Sequence, residues 1–128
     1  MSEAVFEVGA CATVTAWHVM PGMDGPEGEL HSHDYRVDVV VARDQLDDRG
    51  MVCDLDVLRA ALDGATGRVR GRNLEIIQPA GAEAVTVELF ARWMHDQIRS
   101  ALDRADVQVQ VRIWETPEAF GGYASSSS

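Results

Sequence analysis

The clearest periodicity lies near the C-terminal end, where Val107, Val109, Val111 and Ile113 alternate with Gln108, Gln110 and Arg112. Successive side chains of an extended chain point to opposite faces, so this pattern predicts a strand with one apolar face. Tyr35 to Val41 reads the same way: Val37, Val39 and Val41 alternate with Arg36 and Asp38. Val5 to His18, with Val8, Val14 and Thr15 among small residues, predicts a strand before it, and Met51 to Cys53 a short one after it. Two segments change period. Leu55, Leu58 and Leu62 fall at i, i+3 and i+7 behind Asp54, a good N-cap, and predict a helix ended by Gly64 and Gly67. Thr86 predicts the cap of a second helix whose stripe is Leu89, Phe90, Trp93, Met94, Ile98, Ala101 and Leu102. The rest reads as connection: a Pro- and Gly-rich loop from Met20 to Glu29, a polar turn from Asp44 to Gly50, and a long irregular stretch from Arg68 to Ala84. The order β-β-β-α-α-β, with one apolar sheet face and two amphipathic helices, is an α+β layer.

Length and charge narrow the setting. The 128 residues suit a single domain, taken as residues 1–124, with Ser125–Ser128 expected as a disordered tail. The net charge is −10, and all 11 basic residues are arginine. Such a balance argues against a nucleic-acid partner and against anionic membranes. No apolar run approaches the ~20 residues that span a bilayer, and no signal-peptide pattern opens the chain, so a cytoplasmic protein is expected. Cys11 and Cys53 lie in apolar, strand-like stretches and read as reduced core fillers.

The candidate chemistry sits in three of the four histidines. His31 and His33 are two apart, so on an extended chain both rings leave the same face. His18 ends the preceding strand, and an antiparallel neighbour brings it beside them. Three neutral imidazoles with an open fourth position suit a catalytic Zn2+, which polarises a substrate oxygen. Imidazoles suit nickel, copper and iron as well, and by spacing alone such a pair is more often one of plain surface or satisfied histidines. His95, inside the second helix, reads as a helix-surface residue.

Longer motifs carry a family likeness. Thr15-Ala16-Trp17-His18, Leu30-His31-Ser32-His33-Asp34-Tyr35, Gly50-Met51-Val52-Cys53-Asp54, Thr86-Val87-Glu88, Trp114-Glu115-Thr116 and Tyr123 keep the order and spacing of one family across nearly the whole chain. The sequence resembles the 6-pyruvoyl-tetrahydropterin synthase and 6-carboxy-tetrahydropterin synthase family. The resemblance implies the tunnelling fold (T-fold), a four-stranded antiparallel sheet with two helices on one face. It also implies homo-oligomers, trimers or stacked hexamers, with sites between subunits and a small-molecule substrate. Carried over by position, His18, His31 and His33 match the zinc ligands, and Glu115 matches the glutamate that anchors the pterin ring, with Thr116 beside it. A carboxylate suits the paired N–H edge of such a ring.

The departures from the pattern are as informative. The family's catalytic cysteine lies four residues before the first histidine of its His-x-His motif, and Glu27 stands there. Some relatives use a glutamate one position nearer the histidines, where this chain has Gly28. The family's Asp-His pair is replaced by Arg70 and Gly71. Glu27 is therefore the candidate general base, with Glu29 as second candidate. Arg68, Arg70 and Arg72 crowd one segment of an acidic protein and suit an anionic substrate group, a subunit contact or a solvated loop; Arg70 is the candidate substrate contact. Three functions fit. One is a zinc-dependent lyase or cyclase repurposed for a tailoring step of specialised metabolism. The others are an orthodox pterin synthase acting on dihydroneopterin triphosphate, and an inactive zinc-stabilised binding protein.

Overall fold

The alternating apolar positions of the strands all come to one face of a single sheet. In the computed structural model, which describes residues 4–125, the strands are β1 (Phe6–His18), β2 (His31–Arg43), β3 (Gln108–Thr116) and β4 (Ala119–Ser125). They lie side by side in that order, each neighbour antiparallel. Helices α1 (Leu55–Val69) and α2 (Val87–Leu102) join β2 to β3 and cover one face, α1 against β1 and α2 against β3 and β4. Both N-caps form as read: Asp54 accepts from the Asp56 amide at 2.9 Å and Thr86 from the Leu89 amide at 3.1 Å. The core lies between the layers. Val37, Val39 and Val41 of β2 and Val109, Val111 and Ile113 of β3 meet Leu58, Leu62 and Val69 of α1 and Phe90, Met94 and Ile98 of α2. Each such side chain contributes about 1.5–3 kcal/mol on full burial. No helix among the described residues is long and apolar enough to cross a membrane.

Several local readings are corrected. Met51 to Cys53 is not a strand but part of the turn leading to α1, where Val52 and Cys53 are buried side chains without ladder partners. The fourth strand is β4, which lacks the alternation that announces a strand. It packs because Gly121 has no Cβ, and a Cβ there would meet Val87 Cγ2 of α2 at 2.6 Å. Ser125, read as the start of the tail, closes β4, while 126–128 lie outside the described residues. Helix α1 runs through Gly64 and Gly67 to Val69, because Ala65, Thr66 and Val69 are buried on the same face and outweigh about 1 kcal/mol per interior glycine. The connection before α2 also holds a 3₁₀ turn, Leu74–Ile77, that buries Leu74. Cys11 is exposed on the uncovered face of β1, whereas Cys53 is buried as expected. His95 is 4% exposed: it sits on the inward face of α2 beside β4.

Candidate metal centre

The register of β1 on β2 assembles the three histidines. His18 pairs directly with His31, and Ala16 with His33. Residues paired across strands share a face, and so do residues two apart along one strand. All three rings therefore stand on the helix-covered face at one end of the sheet. Ring centroids are 4.4 Å apart for His18 and His31, 4.8 Å for His31 and His33, and 5.3 Å for His18 and His33.

Their ligand atoms make no hydrogen bond. The Nε2 atoms of His18, His31 and His33 are buried without a hydrogen-bond partner, a costly state that a bound cation relieves. His31 Nδ1 donates to the Glu29 carbonyl at 2.7 Å; a carbonyl only accepts, so the proton sits on Nδ1 and the Nε2 lone pair is left exposed to a metal. Burial lowers the His18 pKa, and the imidazoles of His31 and His33 lower it further. The Val85 backbone and the Glu115 carboxylate pull the other way. His18 is thus held in the neutral form that a metal requires.

Two carboxylates reach this cluster from different elements. The connection from β1 to β2 makes a 3₁₀ turn at Gly25–Gly28, clasped by the Met20 amide donating to the Glu27 carbonyl at 2.9 Å. The turn carries Glu27 back over the histidines, with Oε2 3.5 Å from His31 Nε2. Glu27, His18, His31 and His33 each offer one ligand atom, all within 4.8 Å of one another, and form a group that could hold a metal ion. Gly28 explains why the carboxylate sits at 27. A Cβ on residue 28 would lie 2.0 Å from the Met23 carbonyl oxygen, so this turn has no room for a side chain there. Glu29 supplies its carbonyl to His31. From β3, Glu115 places Oε1 3.0 Å from His33 Nε2 and 3.8 Å from His18 Nε2. It stands at an irregularity between Trp114 and Thr116, where the β3–β4 register shifts.

The remaining candidates fall around or away from the cluster. Thr116 is exposed and lines, with Trp114, Glu115, Pro117, Asp34 and Arg36, a groove of about 410 Å³. The Arg70 guanidinium donates to the Thr13 carbonyl of β1 at 3.4 Å, and Arg68 pairs with the Gln97 side chain of α2. These two arginines face different elements and build no common anion site. The segment around Gly71 runs along β1 as a short parallel addition: the Gly71 amide donates to Thr15 at 2.7 Å and the Trp17 amide to Arg72 at 2.9 Å. One neighbour was not singled out by the sequence reading. Tyr35 is fully buried, 5.5 Å from the His33 ring and 6.3 Å from His18, with its hydroxyl unpartnered. Burial raises its pKa, and the Glu115 and Glu27 carboxylates raise it further, so it is a protonated donor at neutral pH. Its position two residues after His33 on the same strand face was the available signal.

With this geometry in hand, similar proteins can be set beside the chain. The family described as 6-pyruvoyl tetrahydropterin synthase matches residues 9–125. The 6-carboxy-5,6,7,8-tetrahydropterin synthase of Bacillus subtilis (strain 168) is 28% identical over 123 residues, covering 92% of this chain and 84% of that protein. The solved 6-pyruvoyl tetrahydropterin synthase of Caenorhabditis elegans superposes with a TM-score of 0.77 at 22% identity, over 96% of this chain and 97% of that one. That of Plasmodium falciparum gives 0.78 at 13% identity, over 96% and 99%. The structural likenesses establish a shared four-stranded, two-helix fold.

Proposed function

This chain belongs to the 6-pyruvoyl tetrahydropterin synthase family, and from that premise we propose a zinc-dependent lyase or cyclase whose reaction departs from the family's usual one. One observation carries the reading: three buried imidazole nitrogens without hydrogen bonds gather within 4.8 Å of one another and of the Glu27 carboxylate. The donor set of three neutral imidazoles fits zinc. His18, His31 and His33 hold the ion, which when bound supplies Lewis-acid polarisation of a carbonyl or hydroxyl oxygen.

The other steps belong to the chain's own groups. Glu27 sits half-exposed on its turn and moves a proton at its carboxylate, as general base in one direction and acid in the other. Glu115, beside the His33 and His18 rings, accepts from the paired N–H donors of a pterin-like or amidine-like ring. Tyr35, buried beside the His33 ring and protonated, takes no proton away. The substrate is a small molecule with such a ring edge and an adjacent oxygen. Assembly as a homotrimer or stacked hexamer with sites at subunit boundaries is part of the proposal; it is supported by the outer edge of β4, which pairs with no strand among the described residues.

Zinc titration followed by elemental analysis tests the centre: one ion per chain is expected, and none in His31→Ala or His33→Ala. Incubating the zinc-loaded protein with dihydroneopterin triphosphate tests the departure. No pterin product is expected. Formation of a family product would establish the orthodox pterin synthase instead, with Glu27 in the cysteine's role.

A further inference from the structure

A second cluster of reactive groups lies outside the metal centre, where α2 meets β4. His95 is 4% exposed, and both ring nitrogens are engaged. Nδ1 is 2.9 Å from Asp96 Oδ1, and Nε2 is 2.7 Å from Ser125 Oγ. An ionised carboxylate only accepts, so Nδ1 carries the proton. In the neutral imidazole Nε2 is then a lone-pair acceptor, and the Ser125 hydroxyl donates into it. The Tyr123 ring packs edge-on against His95 at 4.7 Å. Asp96 reaches the cluster from the solvent side, its side chain 64% exposed, and Ser125 is half-buried.

A mere tie between α2 and β4 would need only the His95–Ser125 bond. The carboxylate behind the imidazole does more: it selects the tautomer that draws the hydroxyl proton away from Ser125. A hydroxyl wired to an imidazole that is oriented by a carboxylate is the arrangement of an activated oxygen nucleophile. The geometry points to Ser125 as a nucleophilic serine, activated by His95 and Asp96, that accepts an acyl group from a small activated ester. The Ser125 Oγ–carbon bond forms and the carbon–oxygen bond to the leaving alcohol breaks. The Ser125 proton passes to His95 Nε2 and from there to the departing oxygen. The Ser125 side chain lies on the helix-covered side of β4, so pairing of that strand's outer edge would engage its backbone and leave the hydroxyl free.

The probe is p-nitrophenyl acetate, mixed with the full-length chain in the presence of a chelator so that metal plays no part. A burst of one p-nitrophenolate per chain is expected, with one acetyl group located on Ser125 by peptide mass spectrometry. Ser125→Ala abolishes the burst, and His95→Gln slows it by about 100-fold or more. Asp96→Asn, at an exposed position where the fold is not at stake, slows it by about 10-fold or more. Acetylation spread over Ser126–Ser128, or an Asp96→Asn chain reacting at the unaltered rate, would overturn the assignment. Neither result bears on zinc binding, so this proposal and the reading of the metal centre stand or fall separately.

Discussion

Burial holds the His18 imidazole below the usual histidine range, and this has a consequence for acid stability. A group whose pKa is lower in the folded state than in the unfolded one binds fewer protons when folded. Its contribution is complete above the unfolded value of about 6.5 and is lost as the pH falls below it toward the folded value. The thermal midpoint of the metal-free protein should therefore drop between pH 7.5 and pH 5.5, and His18→Gln should flatten that slope. An equally steep slope in the variant would assign it to other groups. Gly28 makes a second residue-scale prediction. Gly28→Ala forces its methyl against the Met23 carbonyl and shifts the turn that carries Glu27. A loss of about 1–3 kcal/mol in denaturant unfolding is expected, the usual range for overpacking. An unchanged midpoint would mean that the turn yields freely.

Among the elements, α2 supports the strands that carry the site. Phe90 packs edge-on against Tyr35 at 5.3 Å, and Tyr35 in turn lies beneath the histidine rings. Phe90→Ala opens a cavity under Tyr35 and should destabilise the fold by about 3–5 kcal/mol. Tyr35→Phe keeps the packing and removes only the unpartnered hydroxyl, so its unfolding free energy should stay within about 1 kcal/mol of the original. A larger loss in urea titration would show that the hydroxyl has a partner in solution. The Gly121 contact ties β4 to the first turn of α2, and the two elements meet again at His95 and Ser125. The last strand and the last helix thus form one unit, although neither was coupled to the other in the chain's periodicity.

For the whole molecule, the proposed metal would be a linkage ligand. On the proposed reading, the zinc site exists only in the folded arrangement of three strand positions, so free zinc at 100 times its dissociation constant should add about 2.7 kcal/mol of stability. Calorimetry with and without the ion measures this, and no shift in the midpoint would remove the metal centre from the account. The net charge of −10 is compatible with this role, since a cationic ligand is attracted to an acidic surface.

The chain's own periodicity determined the layer type, both helix caps and the core faces of β2 and β3, because each depends on residues close in sequence. Local spacing also put His31 and His33 on one face. Tertiary structure decided the rest. The pairing of His18 with His31 depends on strand register, which no local pattern specifies. Strand β4 was hidden because its glycines serve packing against α2 and leave no alternation to read. His95 looked like a surface residue because a single polar side chain on a helix does not announce a partner 30 positions away. Glu27 was legible as a candidate base, but only the folded turn, closed around Gly28, brought its carboxylate to the histidines.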